Sequence, residues 1–172
     1  STIERFDMNA RVVDLWPILR HVARHHRVTY AVAATPLFVE MNPDELDQVL
    51  LNLVANASDA LVDSLSGEVV IRTADSPSMP DGDSASASRW CVLSVQDNGP
   101  GMTPDVAARA FERFFTTKRE RGGTGIGLAT VREIVERAGG HVELETQPGH
   151  GTTFKVQLPC ADCIPTRSAV ED

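Results

Sequence analysis

The order of apolar patterns along the chain predicts an α+β fold, a two-layer α/β sandwich whose mixed, mostly antiparallel sheet carries three main helices on one face. Three observations carry that prediction. Stretches of strand and helix period follow one another as strand, helix, two strands, helix, two strands, a long polar segment, helix and two strands. Few connections have the βαβ length that a parallel sheet needs, and several are short enough for hairpins. The 172 residues, 42% of them apolar, suffice for one domain with a substantial core.

Residues 1–10 (STIERFDMNA) read as a lead-in and 11–15 as a short strand. Leu15, Ile18, Leu19, Val22 and Ala23 recur at helical spacing with Arg20, Arg24 and His25 outside them, which predicts a helix over 15–26. VTYAVA (28–33) and LFVE (37–40), separated by Ala34-Thr35-Pro36, read as two strands with a turn between them. The next helix has the clearest start: Asn42 suits the N-cap, Pro43 the first helical position, and Glu45 completes a capping box. Its residues Leu46, Leu50, Leu53, Ala57 and Leu61 form one apolar stripe, and Asn52, Asn56 and Asp59 form a second, polar one. Asparagine is a mediocre helix former, and half-buried amides need partners. The polar stripe is therefore either a solvated face or the wall of a cavity, where amide oxygens can ligate a hard cation such as Mg²⁺.

Residues 68–73 and 89–95 read as strands joined by DSPSMPDGDSASAS, a Ser/Pro/Asp-rich connector without periodicity that is expected to be disordered. A helix over 127–138 ends at Gly139-Gly140. HVELET (141–146) and TTFKVQL (152–158) form a terminal hairpin, and residues 159–172 read as a tail. No apolar run approaches the roughly 20 residues of a membrane span, and nothing resembles a secretion leader. The net charge of -8 excludes a basic nucleic-acid surface but not a nucleotide, whose phosphates a cation and a few backbone N–H groups can hold. Cys91, Cys160 and Cys163 make no disulfide framework, which predicts a reducing, cytoplasmic setting, and the lone Cys160-Ala-Asp-Cys163 lacks the second ligand pair of a zinc site.

The segment 96–131 is the centre of the sequence. It opens with Asp-Asn-Gly-Pro-Gly behind a strand pattern and closes with Gly-Gly-Thr-Gly-Ile-Gly-Leu running into a helix. Gly123, Gly125 and Gly127 ahead of a helix make a set of N–H groups at a positive helix end, an anion site. A charged stretch with Phe111, Phe114 and Phe115 lies between the glycine clusters and reads as a lid. The P-loop is excluded because Leu128, not Lys, follows Gly127, and the dinucleotide pattern because Thr130 stands at its third glycine.

Five signals thus follow in one order: NLVANASDAL (52–61), DNGPGM (97–102), FERFFTTK (111–118), GGTGIGL (122–128) and GHGTTF (149–154). On these the chain resembles the ATP-binding catalytic domain of sensor histidine kinases, with the Bergerat fold shared by DNA gyrase, MutL and a heat-shock chaperone. The resemblance covers about residues 10–158.

It implies ATP and Mg²⁺ as ligands, with Asp97 accepting a hydrogen bond from the adenine amine and Gly99, Gly101 and Met102 passing close to the purine. Asn56 would be the metal ligand and Asn52 its polar neighbour beside the phosphates, with Asp59 near the ribose or phosphate water shell. Thr117 and Lys118 belong to the lid, Lys118 reaching the phosphates with Arg119 and Arg121 nearby. Gly123, Thr124, Gly125, Ile126, Gly127 and Leu128 would cradle the phosphates, and Thr153 would support the adenine through water. The three phenylalanines would pin the lid to the domain or to a partner helix bundle.

None of His21, His25, His26, His141 or His150 precedes an acidic and then an apolar residue, as the family's phosphoacceptor does. The resemblance therefore implies an acceptor on separate dimerisation helices upstream, with residues 1–10 as linker and 11–158 as a monomeric catalytic domain serving a response regulator. A clamp ATPase would need an acid on the Asn helix, yet no Glu occurs among residues 48–58. The remaining alternatives are a degenerate binding module, against which the intact boxes argue, and an anti-sigma-type serine kinase, against which the Phe-Phe-Thr-Thr-Lys lid argues.

Overall fold

The structure, a computed structural model, describes residues 2–76, 89–117 and 125–161. Seven strands and four helices alternate in the order β1 (Glu4–Asp7), α1 (Met8–Val22), β2 (Arg27–Ala31), β3 (Phe38–Met41), α2 (Pro43–Ala60), β4 (Glu68–Ser76), β5 (Trp90–Asp97), α3 (Pro104–Ala108), α4 (Gly127–Arg137), β6 (His141–Thr146) and β7 (Thr152–Pro159). Five strands form one sheet in the order β2-β4-β5-β7-β6. Only the β2–β4 pair is parallel. Helices α1, α2 and α4 cover one face, so the expected two-layer sandwich is the architecture found.

The helical layer is built from apolar stripes at helical spacing. Along α2, Leu46, Leu50, Leu53, Ala57 and Leu61 are all buried, as their spacing predicts. Opposite them, β5 and β7 present Leu93, Val95, Phe154 and Val156, each at most 2% exposed, through the period-2 alternation of strands. The outer face of the sheet carries Arg72, Ser94, Gln96 and Lys155 instead.

Several elements depart from the local reading, each for a physical reason. Residues 11–15 are helical, and α1 starts earlier than its apolar pattern suggests because Asp7 caps it, Oδ1 accepting the Asn9 N–H at 3.0 Å. Met8, Val12, Leu15 and Leu19 then form the buried stripe, and residues 4–7, read as lead-in, become β1. The segments 28–33 and 37–40 do not form a hairpin: β2 joins β4 in the main sheet, and β3 pairs antiparallel with β1 in a separate ribbon. Glu45 does not close a capping box, because its carboxylate takes Arg137 of α4 at 2.7 Å. Residues 159–161, read as tail, stay in the fold, Pro159 in β7 and the Ala161 N–H donating to Phe38 O at 2.8 Å. Cys163 and residues 77–88 of the connector lie outside the described residues.

Asp7 joins three elements at once, since the same Oδ1 also accepts the Leu37 N–H at 2.9 Å. Behind it, buried Asn9 donates to Ala33 O and Thr35 O and accepts the Thr73 hydroxyl, fixing the chain between β2 and β3 against β4. Asp7→Ala is expected to lower the unfolding free energy by about 1–2 kcal/mol, seen as a reduced urea midpoint by circular dichroism. An unchanged midpoint would show that β1 and its cap contribute nothing to the fold.

Candidate functional site

β5 ends at Asp97, and strand alternation places it on the same face as Leu93 and Val95, toward the helices. The residue is 4% exposed. Its Oδ1 accepts the Gly99 N–H at 2.9 Å, an Asx turn that closes the bend after the strand. Gly99 lies flat against the end of α2, where a Cβ would sit 3.2 Å from Ala60 O. Asn98 anchors the turn from the other side, accepting the Glu68 N–H at 2.8 Å and donating to Ser66 O at 3.1 Å.

The turn is stitched to the β6–β7 hairpin. Gly149 N–H donates to Pro100 O at 2.6 Å, and Met102 N–H donates to Thr146 Oγ1 at 2.9 Å. Gly101 has φ +72 and would place a Cβ 2.0 Å from Gln147 O. Gly151 has φ +75 and would place one 2.1 Å from Asp97 O. At both positions the left-handed backbone and the absence of a side chain are required together.

On the helical side, Asn52 Nδ2 donates to Gly127 O at 3.3 Å, so the polar stripe of α2 meets the first turn of α4. Asn56 lies one turn further along the same stripe and is half-buried. α4 starts at Gly127 with Ile126 at its N-cap and no side-chain cap hydrogen bond. Its first-turn N–H groups lie at the positive end of the helix dipole. Leu128 and Met102 pack half-buried against the core, where they hold these two segments to it.

Residues 109–115, at the start of the stretch read as a lid, are tied to the domain. Phe111 packs edge-on against buried Phe154 with centroids 5.9 Å apart, the Arg109 guanidinium stacks 4.2 Å over Phe115, and Arg113 pairs with Glu133 of α4 at 2.6 Å. Phe114 is 58% exposed at φ +65, so of the three phenylalanines it is the one not packed into the domain. Its N–H donates to Gly125 O at 2.9 Å, and Gly125 lies against its backbone. Thr117 is exposed. Lys118, Arg119, Arg121, Gly123 and Thr124 lie outside the described residues.

One expected site residue, Thr153, faces away from Asp97. Thr153 pairs with Gln96 on the outer face of the sheet, so its hydroxyl is on the far side from Asp97. The residue opposite Asp97 on the inner face is Thr152, 4% exposed, and the alternation from Phe154 and Val156 back along β7 marks it in the sequence. Asp59 is exposed and borders a groove of about 690 Å³ with Arg24, His26 and Gly67, a groove that no glycine-box residue lines among the described residues. Thr146, Gly151 and Asn98 hold the site together; Asn98 and Gly151 fall inside the boxes 97–102 and 149–154, whereas Thr146 carries no signal beyond its place at the end of a strand.

Comparison with known proteins fits this geometry. Residues 41–162 match the family described as histidine kinase-, DNA gyrase B-, and HSP90-like ATPase, and the chain belongs to that family. Within it, the chain is an ATP-binding domain of the sensor histidine kinase type. The sensory histidine kinase/phosphatase NtrB of Rhizobium meliloti (strain 1021) is 38% identical over 181 residues, covering 94% of this chain and 46% of that protein. Sensor kinase CckA of Brucella abortus (strain 2308) is 35% identical over 131 residues, covering 70% of this chain and 13% of that protein. The chain therefore spans less than half the length of either relative. Among solved structures, the mycobacterial sensor histidine kinase MprB superposes with a TM-score of 0.71 at 27% identity, covering 92% of this chain and 98% of that one. Full-length ShkA in complex with AMPPNP superposes with a TM-score of 0.73 at 25% identity, covering 92% of this chain and 31% of that one.

Gly101→Ala forces a left-handed φ on an L-residue and drives a methyl into a carbonyl. It is expected to destabilise the domain by about 2–4 kcal/mol in thermal or denaturant unfolding. A loss below 1 kcal/mol would mean that the turn relaxes freely from the hairpin.

Proposed function

We propose that the chain is the catalytic domain of a two-component sensor histidine kinase. It binds Mg-ATP and passes the γ-phosphoryl group to a histidine on the dimerisation helices of the full-length kinase. The observation that carries this reading is the buried Asp97 carboxylate at the strand end, walled by the Gly99 turn and the β6–β7 hairpin. A buried acceptor there suits the exocyclic amine of adenine. Guanine would set a carbonyl oxygen against it and leave polar groups unpaired, at about 1–3 kcal/mol each.

The open start of α4 suits the phosphates, with Asn52 at its first turn. The described residues contain no group of three or more His, Cys, Asp or Glu able to hold a metal unaided. That fits Mg²⁺ carried by the nucleotide, with the Asn56 amide oxygen as the protein's ligand and phosphates and water completing the shell. The ion, when bound, neutralises phosphate charge. Lys118 adds a positive charge on the same group, so transfer rests on positioning and charge neutralisation. Asn52 and Asn56 supply no acid to activate water, which argues against a clamp ATPase. No described helix is long and apolar enough to cross a membrane. We place the domain in the cytoplasm, upstream of a response regulator.

Isothermal titration with ATP, ADP and GTP, with and without Mg²⁺, tests the site. ATP and ADP are expected to bind, GTP is not, and Mg²⁺ is expected to strengthen ATP binding. Asp97→Asn should weaken ATP on the order of 10- to 100-fold with the circular dichroism spectrum retained. Unchanged affinity would remove Asp97 from the base site. Asn56→Ala should remove the Mg²⁺ enhancement, and its persistence would place the ligand elsewhere. Mixing the domain with histidine-bearing dimerisation helices and labelled ATP should give acid-labile phosphohistidine, whereas acid-stable phosphoserine on a protein partner would select the serine-kinase alternative.

A further inference from the structure

Thr146, at the end of β6, makes three contacts through one hydroxyl. It takes the Met102 N–H at 2.9 Å, contacts Gly151 O at 3.0 Å and contacts Thr152 Oγ1 at 3.0 Å. A hydroxyl has one proton and two lone pairs. The Met102 amide can only donate and the Gly151 carbonyl can only accept. The single Thr146 proton therefore goes to Gly151 O, and the contact with Thr152 must run the other way, with Thr152 donating. That commits the Thr152 proton to Thr146 and leaves Thr152 Oγ1 with lone pairs only. Thr152 is 4% exposed and stands opposite Asp97 on the inner face of the sheet, so this corner of the site presents acceptors from both strands.

We infer that Thr146 is a positioning and specificity-determining residue, which sets the hydrogen-bond polarity of the base site through Thr152 while tethering Met102. The inference rests on the nucleotide-binding reading above. A base offering a donor is matched by the two acceptors at this corner. A base offering a carbonyl there meets two acceptors and no proton. Without the Thr146 hydroxyl, the Thr152 proton becomes available to a carbonyl, and the discrimination falls.

The test compares Thr146→Val, which keeps the shape and removes the hydroxyl, with Thr146→Ser, which keeps the hydroxyl. ATP and GTP dissociation constants are measured by titration, alongside the thermal midpoint of each variant. Thr146→Val is expected to weaken ATP by roughly tenfold and to narrow the ATP-over-GTP ratio by at least the same factor. Thr146→Ser is expected to stay within about twofold of the parent chain on both counts. Thr152→Val, which removes the acceptor and leaves the Met102 tether in place, is expected to narrow the ratio as well. A Thr146→Val protein in which both affinities fall together at constant ratio would overturn the polarity role. A Thr152→Val protein with its selectivity unchanged would do the same, even if Thr146→Val does not fold. A parent chain that binds neither nucleotide overturns the nucleotide-binding reading itself, and this inference with it.

Discussion

The close passage of the β6–β7 turn over the end of β5 is the constraint on which the site depends. Gly151 lies against the Asp97 carbonyl, and Gly101 lies against the Gln147 carbonyl. Two backbones in contact at two points fix the direction in which the chain leaves β5. The Asp97 carboxylate is thereby held inside rather than turned to solvent. A buried carboxylate is costly unless hydrogen-bonded, and Asp97 receives the Gly99 amide, so its environment tolerates the charge and keeps it aimed. The glycines in these turns are close-contact points between segments distant in sequence.

α2 is the element that makes the site one object. Its far end supplies the Ala60 carbonyl against Gly99, its middle supplies Asn52 to the Gly127 carbonyl, and its start holds α4 through Glu45 and Arg137. On its other flank, buried Ser58 donates to Ala23 O at the end of α1, and Asp47 receives a bidentate Arg11. That pairing holds the Arg11 guanidinium above its ordinary range, chiefly through the hydrogen bond to Asp47. The helix thus reads as three faces: apolar to the sheet, polar to the glycine boxes, and polar-and-small to α1. The half-buried asparagines that looked anomalous in an amphipathic helix belong to the second face.

What the sequence made legible follows from where its information is local. The apolar stripe of α2, the hairpin of β6 and β7 and the Asp97 turn rest on short-range periodicity and turn chemistry, and the structure reproduces them. Partner choice does not rest on such signals. VTYAVA and LFVE are strands in either arrangement, and only the pairing of residues 27–31 with residues 68–72 across an intervening helix decides between them. Residues 11–15 illustrate the competition directly: Val12 and Val13 favour a strand, but a cap at Asp7 and a core that accepts Met8, Val12 and Leu15 at helical spacing override that preference. Period-2 alternation from Phe154 puts Thr152, not Thr153, on the buried face.

The start of α4 shows the same logic at the level of function. Replacing a good cap residue by an aliphatic one typically costs about 0.5–2 kcal/mol, and Ile126 stands where Ser, Thr, Asp or Asn would serve the helix best. The helix is held by other means. Ala129, Val131, Ile134 and Val135 are buried beneath it, and Glu133 and Arg137 tie its exposed side to Arg113 and Glu45. Because packing rather than capping stabilises α4, its first-turn amides are left for another acceptor. A side-chain oxygen at position 126 would strengthen the helix and compete with an incoming phosphate for the same N–H groups. A helix start without a side-chain cap, a donor–acceptor link to Asn52 and the contact of Phe114 with Gly125 converge on one place in the fold. The residue type that would be best for local stability is absent at the point where the proposed nucleotide would place its phosphates.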